Sequence, residues 1–319
     1  MRIDPAIAAL RRDRALQRRA QSDMVAACDA WRTTAATGQV LAELERYGEG
    51  ASLAQCAALR ALFTDAESAP RLVAALNRAF CDALAREPLG HPPFRHGYDR
   101  GASTLLLARH GRAQLVLHAC EPGVRSFDVV SFSDGERREA VLAGKARARI
   151  VRARESSARF ALQPVAFEPG LRLALDLREE ALQVLAIERR LVSLRLHRFA
   201  SMPAPTREYS LSSGAFLRQS AGEIRASRQE AMLALLGRMR CADAVPVMAA
   251  IAREPGDASL RWQALRECLA LDTAAGFAAL SELAAARSDA LAAPAAALRA
   301  QLLEAHPELA GLAIVPCPA

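Results

Sequence analysis

The sequence predicts an α+β protein: a central antiparallel β-sandwich or jelly-roll-like domain, flanked by an N-terminal helical region and a C-terminal helical-repeat region. Three observations carry this. Apolar residues recur at helical spacing from Pro5 to about Glu87; short alternating runs separated by turn residues fill the stretch from about Ser103 to Gln219; Ala-rich helical runs return after Gly222. A chain of 319 residues, 52% of them hydrophobic, can bury more than one core, because single cores stop growing near ~250–300 residues. The expected division is helical over 1–90, linker over 91–102, β-domain over 103–220 and helical again over 223–319.

The first region shows its helices in stripes such as Val40, Leu41, Leu44 and Leu53, Cys56, Leu59, Leu62, Phe63. Gly48 and Gly50 break the pattern, and Ser52 with Gln55 three residues on reads as the start of the next helix. Asp65, Ser68 and Pro70 mark another joint. From Glu87 to Gly97 three prolines and two glycines stand within eleven residues, which no regular element tolerates, so a linker is expected there.

The central region alternates. Leu171, Leu173, Leu175 and Leu177 interleave with Arg172, Ala174, Asp176 and Arg178, and Val192, Leu194 and Leu196 with Ser193, Arg195 and His197. Such a period of two marks half-buried strands. Turn signals at Arg109-His110-Gly111, Glu121-Pro122-Gly123, Ser133-Asp134-Gly135 and Glu168-Pro169-Gly170 separate them. Strands at even spacing with no helices between them exclude a Rossmann-type parallel sheet.

In the last third, the run from Arg228 to Gly237 aligns with that from Arg261 to Ala270 at an offset of 33 residues, each followed by a second apolar helical run. Ala244-Val245-Pro246 opens one of those second helices and Phe277-Ala278-Ala279 belongs to the other. Over roughly residues 223–305 this resembles HEAT-type α-solenoid repeats, in which an Arg near the helix start, an Ala three residues later and an Ala-Val-Pro entry recur; Ala244-Val245-Pro246 matches that entry and Phe277-Ala278-Ala279 does not. The resemblance implies stacked helix pairs presenting a surface to a partner.

Of 42 basic residues only Lys145 is a lysine, and alanine is abundant, the bias of a GC-rich bacterial genome. Arginine surplus of that origin inflates the nucleic-acid signal, so the net charge of +7 does not by itself mark a polyanion partner. Seven scattered cysteines without a C-x-x-C motif fit a reducing cytoplasm, and the N-terminus lacks the apolar core of a signal peptide. No transmembrane segment is expected. Arg2, Arg11, Arg12, Arg14, Arg18 and Arg19 form a basic cluster, most of it on a docked surface helix with Arg11, Arg14 and Arg18 on one face, and Trp31 and Trp262 read as packing residues.

No G-x-S-x-G, P-loop, G-x-G-x-x-G or H-E-x-x-H motif is present. The histidines His91, His96, His110, His118 and His197 fall in or just before the strand region, where a cupin-like barrel would carry a divalent metal, but the cupin spacing of two histidines one residue apart is absent. His118, Glu121 and His197 are the candidate metal ligands of that alternative. Lys145, Arg147, Arg149, Arg152 and Arg154 form a candidate anion-binding stripe, provided a bulge near Ile150 and Val151 returns the last two to the face of the first three. The favoured reading of these residues is a solvated outer face or an edge strand protected by charge, since no interleaved aromatics supply base stacking. The main expectation is a cytoplasmic, non-catalytic scaffold that binds a protein partner through its C-terminal helices, with no cofactor. The alternative is a cupin-like metal- or small-molecule-binding enzyme or sensor with its site in the β-domain, and nucleic-acid binding through the basic stripe ranks third.

Overall fold

A computed structural model of the chain describes residues 13–153 and 160–314. It divides into two compact units, one of residues 1–201 with 208–217 and one of residues 202–207 with 218–319. The class is α+β, with antiparallel sheets flanked in sequence by helices. No helix among the described residues is long and apolar enough to cross a membrane.

The first unit opens with helices α1 (Ala15–Thr33), α2 (Ala35–Glu49), α3 (Ala57–Ala61) and α4 (Ser68–Arg86). Their buried stripes follow the 3.6-residue period: Ala20, Met24, Cys28 and Trp31 on α1, and Leu72, Val73, Leu76, Phe80 and Ala83 on α4. Gln55 Oε1 accepts the Ser52 backbone N–H at 2.9 Å, starting the short turn before α3. Glu43 is buried yet satisfied, because its Oε2 accepts the Leu59 N–H at 2.9 Å. Of the N-terminal basic cluster, Arg2, Arg11 and Arg12 lie outside the described residues, and Arg19 pairs with Glu87 at 3.1 Å.

Among the described residues eleven strands follow: β1 (Arg95–Asp99), β2 (Ala102–His110), β3 (Ala113–Cys120), β4 (Gly123–Val124), β5 (Val129–Phe132), β6 (Gly135–Arg152), β7 (Ala161–Phe167), β8 (Arg172–Asp176), β9 (Glu180–Phe199), β10 (Thr206–Ser210) and β11 (Phe216–Ser220). β1 lies inside the stretch read as linker; its backbone pairs with β2 while all five of its residues stay exposed, so no hydrophobic alternation announces it. The larger sheet runs β1-β2-β3-β9-β6-β7, with β4 added to β9 and β8 to β6; the smaller runs β11-β10-β5.

Both faces of the larger sheet are covered. Leu115, Ala140, Leu194 and Leu196 join Met24, Trp31, Leu44, Tyr47 and Phe80 in one core, so the helices pack on this outer face. At Gly48 helix α2 comes so close to the β2–β3 turn that a Cβ would sit 2.1 Å from the His110 carbonyl oxygen, which only glycine allows. The inner face divides into an apolar end of Cys120, Val141, Ala146, Ala148, Phe167, Val184, Ile187 and Leu191, and a polar end.

Two strands are far longer than the alternation indicates. β6 and β9 each span two runs that the sequence pattern separates at Gly144-Lys145 and Glu188-Arg190. Their pairing shifts register four times between Val141 and Ala148. These irregularities bend the ladder without ending it, so the same pair of strands passes from the polar end to the apolar end.

The second unit holds α5 (Ile224–Arg238), α6 (Val245–Arg253), α7 (Ala258–Leu271), α8 (Thr273–Ala285) and α9 (Ala292–Ala305). Pro246 sits in the first turn of α6, where its missing N–H costs nothing, and Asp257 and Asp272 cap α7 and α8. α5 packs on α7, and α6 on both α7 and α8. The aligned arginines are not equivalent: Arg261 is buried against Asp289 at 2.6 Å and donates to the Ala252 carbonyl, whereas Arg228 is exposed.

Gly144 has φ +98°, and a Cβ there would meet the Arg190 carbonyl oxygen at 2.3 Å. Gly144→Ala is expected to lower unfolding stability by about 2–4 kcal/mol. Gly170→Ala, at φ +97° but in open space, should cost only about 1–2 kcal/mol. Urea denaturation of the two variants side by side checks the difference, and equal losses would show that the close approach carries no weight.

Candidate functional site

The polar end of the inner face is built by three neighbouring strands, β3, β9 and β6. Because side chains alternate, placing Leu194 and Leu196 under the helices turns Ser193, Arg195 and His197 inward. Register then sets their neighbours. His197 lies between Gln114 and Arg137, Arg195 between Val116 and Glu139, and Ser193 between His118 and Val141.

At the centre is Glu139, fully buried. Its Oε1 accepts from Ser193 Oγ at 2.6 Å and Arg195 Nε at 2.9 Å, and its Oε2 accepts from Arg137 Nε at 3.1 Å and from Arg137 Nη2. Burial alone would raise this carboxyl; the charges of Arg195 and Arg137, with the Arg137 and Ser193 hydrogen bonds, outweigh it and hold Glu139 down at about 2. Burial, then the neighbouring Arg137, brings Arg195 down to about 10, which leaves its guanidinium charged at neutral pH. Two guanidiniums share one carboxylate, so the cluster keeps one positive charge in excess.

Flanking it are two histidines that burial, chiefly, keeps neutral. His118 is pushed down to about 3 by burial and then by Arg195, and His197 to about 3 by burial and then by Arg137 and Arg195. The His118 ring nitrogens lie 3.6 and 3.7 Å from Cys120 Sγ. His197 stacks on Phe199 at 6.5 Å between centroids.

A cavity of about 370 Å³ opens beside the cluster. Arg137, His197 and Gln114 of the larger sheet line it with Ser131 of β5, Ser133 and Glu180, whose carboxylate accepts from Arg152 Nε at 2.7 Å. Arg137 grips Glu139 through Nε and Nη2, so by the planar geometry of guanidinium its Nη1 points away from that carboxylate.

The predicted metal set is not brought together. His118 and His197 share the inner face but stand four residues apart along the ladder, about 13 Å by strand rise, with Arg195 between them. Glu121 instead turns outward to Arg190 at 2.9 Å. Among the described residues no three His, Cys, Asp or Glu side chains are grouped to hold a metal ion. The donor set does not fit a divalent metal, because Arg137 and Arg195 occupy the space that ligands would need.

The basic stripe is split as well. β6 pairs with β7 in unbroken register from Ala146 to Arg152, so Arg152 shares the face of Ile150 and Ala148, opposite Arg147 and Arg149. The irregularity falls between Arg147 and Ala148 on the β9 side, not at Ile150 and Val151. Lys145 pairs with Glu188 at 3.5 Å, Arg149 donates to Gln183 at 2.9 Å and Arg152 to Glu180 at 2.7 Å. Arg154 lies outside the described residues. A continuous strip for phosphates is therefore not formed, and the nucleic-acid reading loses its support.

Glu139, Arg137, Ser193, Gln114 and Arg195 were not singled out by motif or spacing. Their signal is the pairing of two alternating runs, Gly135-Glu-Arg-Arg-Glu139 and Ser193-Leu-Arg-Leu-His197, whose partnership only the sheet order reveals.

No protein-family model matches the chain, and no curated protein matches it. Among solved structures, the chain is similar to a cupin superfamily protein from Desulfitobacterium hafniense, with 15% identity over 33% of this chain and 83% of that one, TM-score 0.24. It is also similar to a cupin-2 domain from Rhodospirillum rubrum, with 16% identity over 34% of this chain and 71% of that one, TM-score 0.27. The chain covers 35% of the length of the 7S globulin from Momordica charantia, matching it over 37% of its own length with 13% identity and TM-score 0.29. These neighbours correct the expectation of a non-catalytic scaffold acting through the C-terminal helices. They are cupin proteins and a 7S globulin rather than helical-repeat proteins, so the scaffold reading is not carried further.

The buried groups make stability pH-dependent. His118 and His197 hold protons less readily folded than unfolded, so their contribution is complete above about 6.5 and is lost as pH falls towards 3. At pH 5 the loss should be about 2 kcal/mol for each histidine. Glu139, also depressed, adds a further loss below about 4.5. Denaturant melts from pH 7.5 to 4.5 should show this slope, and it should be roughly halved in His118→Leu; an unchanged slope would place the titration elsewhere. Glu139→Gln, which leaves two buried guanidiniums without their carboxylate, should destabilise by about 3–5 kcal/mol.

Proposed function

We propose that the β-domain is a small-molecule-binding module that takes a carboxylate-bearing metabolite between its two sheets. The carrying observation is the buried cluster of two arginines on one glutamate, whose excess positive charge reaches the wall of a polar cavity through Arg137. A carboxylate matches the guanidinium fork in shape and charge. Gln114, Ser131, Ser133 and neutral His197 are placed to bond its remaining polar groups, and Phe199 offers an apolar wall. The volume suits a ligand at the small end of the usual range.

The chemistry supports sensing or carriage over bond-making. A general acid or base works best with a pKa near the working pH. His118 and His197 sit at about 3 and Glu139 at about 2, far from neutrality, and their role is to bond and orient. The described cysteines are all free, exposed Cys81 included, which supports a reducing cytoplasm as the place of action. For the C-terminal helices we propose a HEAT-like pair of repeats, supported by the packing of α5 on α7 and of α6 on α8.

Calorimetric titration with a panel of small mono- and dicarboxylates, each against its uncharged amide, tests the reading. At least one acid should bind saturably and its amide should not. Arg137→Gln should weaken binding by about tenfold or more, with the fold verified by circular dichroism. Absence of saturable binding across the panel, or full affinity in Arg137→Gln, would refute it.

A further inference from the structure

A second, larger cavity of about 580 Å³ lies on the other side of the same strand ends. β6 alternates, so Arg137 faces the inner cavity while Glu136 and Arg138 face this one. Four guanidiniums line it, those of Arg112, Arg138, Arg178 and Arg198, against the carboxylates of Asp134, Glu136 and Asp176.

The pairing within the cavity is uneven. Arg178 is held by Asp176 at 2.7 Å and lies in the field of Asp134. Arg198 is a structural clamp: it pairs with Glu136, donates to the Ala51 carbonyl at 2.8 Å and covers the Tyr47 ring at 4.0 Å, fastening the sheet to the C-terminal end of α2. Arg138 is left to share Glu136 at 3.6 Å, and its Nε is buried without a hydrogen-bond partner. Arg112 is anchored by a backbone carbonyl, that of Phe199 at 3.0 Å, which satisfies one donor and supplies no counter-charge.

We propose that this outer cavity is a binding site for the phosphate group of a small phosphate monoester, gripped between Arg112 and Arg138. A dianion answers two under-compensated guanidiniums at once, and arginine forks suit phosphate oxygens. Ala174, exposed on β8, is the cross-strand neighbour of Arg138 and lines the same cavity, so a side chain added there meets the proposed phosphate site. The site is independent of the inner one, because the sheet separates Arg137 from Arg138.

Titration of the full chain with glycerol 3-phosphate and with inorganic phosphate, at fixed ionic strength, tests this. Both should bind saturably, with about tenfold or greater weakening in Arg112→Gln and in Arg138→Gln. Ala174→Glu removes no native contact and puts a carboxylate in the cavity; it should abolish phosphate binding while thermal stability stays close to the parent's. Arg137→Gln should leave phosphate affinity within about twofold, since alternation puts the Arg137 side chain on the other face of the sheet. The proposal is overturned if the parent chain shows no saturable binding, if Ala174→Glu binds as well as the parent, or if Arg137→Gln is the variant that loses phosphate. The last result would move the anion to the inner cavity.

Discussion

The carboxylate of Glu139, held by Ser193, Arg195 and Arg137, fixes the register of the sheet on which everything else is built. Removing three charges from water costs several kcal/mol for each ion, which is offset only when geometry is good and every lone pair is used. A slip of β9 by one residue would turn Arg195 into the core beneath Trp31 and Leu44 and bring Leu194 against Glu139. The cluster and the helical cover therefore enforce the same alignment from opposite faces of one sheet.

That alignment also partitions charge. The consecutive arginines 137 and 138 are adjacent in sequence and face different cavities, one between the sheets and one at the outer strand ends. Phe199 borders both. Arg198, between His197 and Phe199, spends its bonds on the end of α2 and on Glu136, so the helical layer and the mouth of the sheet are tied by one side chain. Binding chemistry and architecture thus draw on alternate residues of the same strands, and the architecture sets where each positive charge emerges.

Much of the fold was legible because its signals are local. Leu194 and Leu196 alternating with polar partners, the Pro-Gly turns, the Ser52–Gln55 pair and Pro246 at a helix start all act over a few residues. Less legible were the long strands β6 and β9, since Gly144 reads as a break until the Arg190 carbonyl shows why glycine stands there. The candidate site was read least well. His118 and His197 were marked, but as metal ligands, and Glu121 is drawn off by Arg190. In the second unit, Arg228 and Arg261 align in sequence, yet only the latter finds an aspartate and a buried setting.

By itself the sequence determined that helices flank a central region of antiparallel strands, because periodicity and turn chemistry are properties of neighbouring residues. Which face of each strand would look inward was decided by tertiary structure alone. The helices occupy the leucine face, so the arginines, histidines and glutamate turn to the other face, where Glu139, His118 and Ser193 are buried. There burial and proximity, which no linear spacing encodes, turn an ordinary polar stripe into a charged cluster with a cavity beside it.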